Sequence, residues 1–435
     1  MTAAALEPVE ELAVDDIQLA DPDLWKRPEW VIEGAFQTLR RERPVSFHRE
    51  FGHGDLIKQG PGFWALTRYE DIERASRDHE TFISGPGISI WDFPPEMASS
   101  FHHMGNEDGA RHTRLRRIVS RAFTPKILEH LRAVIEQEAR AIVDSIIDRG
   151  EVDFVSEVGG RLPVRIICEM IGIPQEHHEF VYRKSDIAIR VADPAYLLGS
   201  GDVEKTFGEI AAAGFEMAVL LQQLSQERIK NPTDDILSTL MNSDIDGEAL
   251  TETELIQFFI LLTVAGNETT RNALAWGMHA LSEYPEQKAT WAGDVTGLSD
   301  TATNEVIRWA TPVIYFRRTA ARATEIGGQA IAEGDKVVMF YRSGNRDESV
   351  FANPYAFDVT RANRPPHMAF GGGGPHHCLG AHLARMEVSA MFGEILRRIP
   401  DIHVVGTPVR PGGNLAHGLD ELRCAFTPGG SRATG

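Results

Sequence analysis

Thr251-Glu-Thr-Glu254 opens the longest helical pattern in the chain. A threonine with a glutamate three residues on is a capping box, in which hydroxyl and carboxylate each take a backbone N–H that a helix start leaves unpaired. The pattern runs until Tyr284-Pro285, because proline disfavours helix in the residue before it. More than thirty residues at 1.5 Å each span about 50 Å, enough to cross a whole domain. Phe258, Leu261, Leu262, Ala265, Thr269, Ala273 and Trp276 recur at spacings of three and four, which puts Thr269 on the stripe expected to be buried. Gly266 costs roughly 1 kcal/mol against alanine in a helix interior, so something is expected to approach the backbone closely there. Taken alone, Thr269 reads most simply as a hydroxyl bonded to the Ala265 carbonyl one turn back.

A second stretch carries chemistry. Phe370 to Val388 reads Phe-Gly-Gly-Gly-Gly-Pro-His-His-Cys-Leu-Gly-Ala-His-Leu-Ala-Arg-Met-Glu-Val. Glycines can take positive φ and let backbone approach a flat ligand, and Pro375 stiffens the turn. Leu379 onward is rich in helix formers, so Cys378 is expected at a helix start, where N–H groups and the helix dipole favour a thiolate and suit it to a metal. The glycines do not fit a dinucleotide fingerprint, and no Lys-Ser/Thr follows to make a phosphate loop. Adjacent His376, His377 and Cys378 cannot easily share one tetrahedral zinc, and no second Cys/His pair stands at finger spacing.

This stretch resembles the cysteine-ligand loop of the cytochrome P450 superfamily. The resemblance implies that Cys378 is the axial ligand of haem b iron, with Gly374 and Gly380 flanking it and His376 the basic residue two before it. Phe370 lies eight residues before Cys378, where the family usually has phenylalanine at seven. The long helix then resembles the family's oxygen-binding helix, with Ala265 and Gly266 beside the haem and Glu268-Thr269 the acid–alcohol pair next to dioxygen. His112-Thr-Arg-Leu-Arg116 resembles the segment whose His112 and Arg116 bind a haem propionate, and Arg318 would hold the other, with Arg317 its rival. Glu305 and Arg308 match the family's buried Glu-x-x-Arg pair. The pocket would be walled by Ile90, Trp91 and Phe93 of the apolar Ser84–Gly105 segment, by Val313 and Ile314, and by Leu415 of a late turn; the breaker-rich residues 191–201 match the family's lid. The likeness covers about residues 60 to 427, with the motifs in order, and implies a mainly α fold with small β-sheets, haem lying between the central helix and the cysteine loop.

The totals agree with such a protein. With 435 residues and 42% hydrophobic content, the chain can bury a large core, and no repeat or internal linker divides it. One catalytic domain is expected over 16–427, with 1–15 and 428–435 loose. No apolar run approaches the ~20 residues of a membrane helix, and Met1 to Glu11 is not a signal peptide, so a soluble cytoplasmic enzyme of the bacterial type without a membrane anchor is expected. Three cysteines argue against a disulfide framework; Cys168 reads as core and Cys424 as a strand residue. Val152 to Ile173 and Thr206 to Ile229 read as helices, and Glu325 to Phe340 as hairpins. A net charge of −19 excludes a nucleic-acid partner. Five arginines between Arg111 and Arg121, with Lys126 beyond, make a basic island. It is either a solvated helix face or the docking surface of an acidic ferredoxin.

The implied activity is hydroxylation of an unactivated C–H bond in a hydrophobic molecule, a steroid side chain, branched lipid or terpenoid, with O2 and NAD(P)H electrons brought by a ferredoxin and its reductase, because the chain shows no flavin or nicotinamide fingerprint of its own. A natural-product tailoring hydroxylase, a peroxide-driven enzyme and a non-catalytic haem sensor or carrier are the alternatives. The last two would not need Glu268-Thr269.

Overall fold

The computed structural model describes residues 12–52, 58–92, 103–123, 125–189, 203–233, 235–241 and 250–429. The capping box forms: Thr251 Oγ1 accepts from the Glu254 N–H at 3.2 Å, and the Thr251 N–H donates to the Glu254 carboxylate at 2.9 Å. The central helix runs Glu252–Glu283, and Pro285 starts the next helix instead of continuing it. Helices Arg161–Ile171, His178–Ile189, Val203–Lys230, Ser299–Ala310 and Ala381–Arg398 pack around it. Close crossing is possible where a side chain is missing. A Cβ on Gly277 would lie 2.7 Å from Val306 and 2.9 Å from Phe392. The close approach expected at Gly266 is likewise that of a helix, since Ile167 Cδ1 would sit 2.6 Å from its Cβ.

A five-stranded sheet stands to one side, in the order Val45–His48, Phe63–Leu66, Lys336–Phe340, Tyr315–Ala320, Phe82–Ile83. Phe63–Leu66 pairs in parallel with Lys336–Phe340, which pairs antiparallel with Tyr315–Ala320. Of the expected hairpins only Thr324–Ile326 with Gln329–Ile331 is one. The stretch read as a helix from Val152 begins as strand Glu151–Asp153, because Val152 pairs with Cys424 of strand Arg423–Ala425; a π-helical turn Val155–Gly159 follows, and the α-helix starts at Arg161. Cys168 and Cys424 are fully buried.

Glu305 and Arg308 form a bidentate pair at 2.7 and 2.8 Å, with both side chains out of solvent. Arg308 also donates to the carbonyls of Asn345 and Pro354, at 2.8 and 3.0 Å, while Glu305 accepts from the Asp358 N–H and from Arg361. Removing one member of such a pair strands the other charge in the interior. Glu305→Ala is expected to destabilise the fold by about 3–5 kcal/mol, measurable by denaturant unfolding; a loss within 1 kcal/mol would contradict this account.

Candidate active site

The cysteine loop folds back on itself. The Cys378 N–H donates to the Phe370 carbonyl at 3.0 Å and the His377 N–H to that of Gly374 at 3.2 Å. Gly371, Gly373 and Gly374 have φ of +95°, +92° and +79°, which no other residue adopts without strain. The close approach the tetraglycine allows is to protein: a Cβ on Gly374 would lie 2.4 Å from the Ser76 carbonyl oxygen and one on Gly372 3.0 Å from Ser76 Cβ, both on helix Tyr69–Arg77. Gly380 caps helix Ala381–Arg398, and its Cβ position meets nothing within 4 Å. Cys378 therefore precedes the helix by three residues. Phe370 keeps a place in the loop despite its spacing, with the Arg385 guanidinium 4.4 Å from its ring centroid.

The Cys378 thiol is accessible, yet enough protein surrounds it for burial to push its pKa up; the Gly380 N–H and the charges of Arg116 and Arg385 act the other way. The thiolate expected from the helix start is thus not made by the protein alone. A metal ion bound to the sulfur would supply the rest.

On the central helix the stripe read as uniformly buried is open in its middle. Phe258, Ala273 and Trp276 are buried, but Ala265 is exposed and Leu261, Leu262 and Thr269 keep part of their surface. The Thr269 hydroxyl donates to the Ala265 carbonyl at 2.8 Å. Glu268 points elsewhere: it is buried, accepts from Asn272 Nδ2 at 3.0 Å, and pairs with Arg271, which also holds Asp186 of helix His178–Ile189 at 2.8 Å. Burial raises the pKa of Glu268 against the pull of Arg271.

A third group is made of two imidazoles and a guanidinium. His112 and His376 lie with ring centroids 4.2 Å apart. His112 Nε2 is buried with no partner, and His376 is 3.2 Å from the Ser84 hydroxyl. Arg318 is 3% exposed, and the hydrogen bond its guanidinium makes is to the neighbouring Arg317 carbonyl at 2.9 Å. Burial, then the charges of Arg318, His112 and Arg116, push His376 down to about 3, and burial also lowers His112 and Arg318. Arg317 is spent on Asp92 at 2.5 Å. Arg116 donates to the His377 carbonyl at 2.6 Å, so it braces the cysteine loop. Buried donors crowded together and short of acceptors suit a ligand with two carboxylates, and an accessible sulfur suits an iron ligand. These residues fit haem.

The pocket residues divide. A side chain facing interior space keeps accessible surface, and one packed on protein does not. Val313 and Leu415 keep some. Ile90, Trp91 and Ile314 are 0%, 4% and 1% exposed, in a cluster with Phe36, Phe63 and Phe340. They back the wall, contrary to the expectation that they line it. The reason is polar: Ile88 and Ile90 are tied to the sheet by Arg317 N–H at 2.8 Å and Lys336 Nζ at 2.9 Å, and Asp92 is held by both cations. Phe93 and residues 191–201 lie outside the described residues.

A family model described as Cytochrome P450 matches residues 200–292 and 298–399. Methyl-branched lipid omega-hydroxylase of Mycobacterium tuberculosis is 43% identical over 95% of this chain and 96% of that protein. The chain belongs to the cytochrome P450 family. Steroid C26-monooxygenase of Mycolicibacterium smegmatis is 37% identical over 85% of this chain and 84% of that protein. A Mycobacterium marinum cytochrome P450 solved in complex with pseudoionone is 40% identical, with a TM-score of 0.88 over 96% of this chain and all of that one. Cytochromes P450 carry haem iron and use O2, and this chain is a cytochrome P450 monooxygenase with that fold. No described helix is long and apolar enough to cross a membrane.

In this P450 the basic island is less of a patch than its sequence suggests. Arg111 pairs with Glu107 at 2.8 Å and Arg114 with Glu254 at 2.9 Å; Arg117 and Arg121 are exposed. Sequence reasoning missed Arg271 and Asp186, whose pairing joins two helices far apart in the chain. It also missed Glu387, fully buried on helix Ala381–Arg398, whose carboxyl burial pushes up to about 8 against a hydrogen bond from Thr270.

The contrast between the two arginines is testable. Arg318→Met is expected to weaken haem retention by about tenfold, the worth of one charged hydrogen bond, read as the Soret-to-protein absorbance ratio after dialysis against apomyoglobin. Arg317→Met should leave that ratio near wild type; the reverse ranking would reassign the pair.

Proposed function

We propose that this P450 hydroxylates a C–H bond toward one end of a branched lipid or steroid side chain, with electrons from a separate ferredoxin. The observation that carries the reading is the accessible Cys378 sulfur in a loop closed onto Phe370, in a chain that also opens Ala265 and Thr269 on the central helix. The substrate class rests on the relatives named as a methyl-branched lipid omega-hydroxylase and a steroid C26-monooxygenase.

Cys378 would ligate the haem iron, while His112, Arg318 and His376 would hold its propionates. Bound there, haem supplies reductive activation of O2 for insertion into a C–H bond. The chain handles protons and substrate. Thr269 carries a hydroxyl proton, now given to the Ala265 carbonyl, that a rotation about χ1 would present to the dioxygen cosubstrate. Glu268 would pass protons inward from the polar seam with Asp186 and Arg271; its raised pKa suits a group that must alternately hold and release one. Leu261, Ala265, Val313 and Leu415 would present apolar surface to the substrate and keep bulk water away. The electron donor would approach the cysteine side, steered by exposed Arg117 and Arg121.

Titration of the ferric protein with cholest-4-en-3-one, a methyl-branched fatty alcohol and a monoterpenoid tests the class. A saturable low-to-high-spin Soret shift is expected with one of the first two; no shift with either would move the assignment to another substrate class. Thr269→Ala is expected to keep the haem spectrum and divert NADH-derived electrons to peroxide, and unchanged coupling would remove Thr269 from the proton path. Cys378→Ala should lose the thiolate signature of the reduced CO complex, and an unaltered band would refute the ligand.

A further inference from the structure

The late turn that carries Leu415 is zipped to the segment that carries Val313, just before strand Tyr315–Ala320. The Ile314 N–H donates to the Leu415 carbonyl at 2.8 Å, the His417 N–H to that of Pro312 at 2.9 Å, and Val313 and Ala416 form a bridge. The two backbone hydrogen bonds of one bridge do not fix where such a turn sits in the molecule. The His417 side chain does more. Its Nδ1 lies 2.5 Å from the Ala310 carbonyl at the end of helix Ser299–Ala310, and its Nε2 lies 3.2 Å from a Glu29 carboxylate oxygen on helix Glu29–Glu42. The ring stacks on Trp276 of the central helix with centroids 4.3 Å apart and planes at 25°, and the Trp276 indole N–H donates to the His417 carbonyl at 3.1 Å.

One buried ring therefore touches three helices and joins them to the turn. Glu29 is itself held by Arg342 and Arg410, and Arg342 by Glu33 at 2.9 Å, so the Glu29 end of the contact is fixed by ion pairs. His279 packs edge-on with Trp276, ring centroids 5.5 Å apart. Val313, Leu415 and Ala416 are partly accessible, while His417, Gly418 and Leu419 are buried. The fixed side of the turn is thus His417, while Leu415 packs partly on the cluster of Phe36 and Phe340 and keeps some accessible surface.

We infer that His417 is a positioning residue for substrate selection, setting the height of the Val313–Leu415 wall above the reacting carbon through its joint hold on Ala310, Glu29 and Trp276. The inference rests on the reading that these two side chains face substrate. Neither a catalytic proton nor the haem is involved. Loss of His417 changes which molecules fit and how tightly, and it leaves the iron site alone.

His417→Phe keeps a ring to stack on Trp276 and removes both polar contacts; His417→Gln keeps a donor. In the haem-loaded protein, pseudoionone binding read by the spin-state shift is expected to weaken about tenfold in His417→Phe, the worth of one buried hydrogen bond, with His417→Gln in between. Imidazole, which binds iron without reaching the wall, serves as the control: its affinity should stay within about twofold, whereas general damage lowers both. Parallel loss of both ligands, or unchanged pseudoionone affinity, overturns the inference. If wild-type protein gives no pseudoionone shift, the apolar-pocket reading is at fault, and the positioning role is then decided by deuterium exchange. The Ile314 and His417 amides should exchange faster in His417→Phe than in wild type; equal rates overturn it.

Discussion

Arg308 cannot be buried unless every direction its guanidinium points finds an oxygen, and the cysteine side of the molecule is built around meeting that demand. Glu305 takes two of its N–H groups, and the carbonyls of Asn345 and Pro354 take others. The chain between residues 345 and 361 forms turns but no helix or strand, so the arginine adds to what holds it in place. The effect is carried onward. Asn345, whose carbonyl faces Arg308, accepts the Met368 N–H at 2.6 Å, and the Met368 carbonyl accepts the Gly371 N–H at 2.9 Å. Cys378 is then fixed by its bond to Phe370. A series of short polar contacts thus leads from one ion pair to the Cys378 backbone.

The opposite face of the central helix uses charge differently. There Arg271 is shared between Glu268 and Asp186, and Asn267 donates to Ser185 at 3.0 Å, so helix His178–Ile189 is joined to the central helix by polar contacts one turn apart. Apolar packing would hold the two helices as well, but it tolerates sliding; paired buried charges do not, because a shift leaves one of them unpaired. The same helix leads toward residues 190–202. The buried N–H groups at His112, His376 and Arg318 are the complementary case, a cluster of donors that gains acceptors when an anion is placed among them.

Much was legible in the chain because it depended on local chemistry. The capping box, the proline stop, the glycines with positive φ and the i, i+3 carboxylate–guanidinium pair are each decided within a few residues, and the structure contains all of them. Cys378 stood out for the same reason, since a run of glycines before one cysteine has few other uses. What failed were inferences about which side of a residue would be filled. The glycines before Cys378 were read as letting backbone approach a flat ligand, and at Gly374 the room is taken by Ser76. Ile90 and Trp91 are apolar enough to line a pocket, but Lys336 and Asp92 anchor their segment so that they pack into the core.

Sequence by itself determined the long helix, the cysteine loop and the order of the motifs, because backbone conformation and capping answer to neighbours in the chain. Tertiary structure alone decided the partners: Arg317 rather than Arg318 for Asp92, Asp186 for Arg271, and Ala310, Glu29 and Trp276 around His417. These pairs are separated by tens to hundreds of positions, and a side chain's charge or donor count says how many contacts it needs without saying which segment will meet them. That choice belongs to the packing of helices around a common core, where the burial of one group fixes what its neighbours must supply.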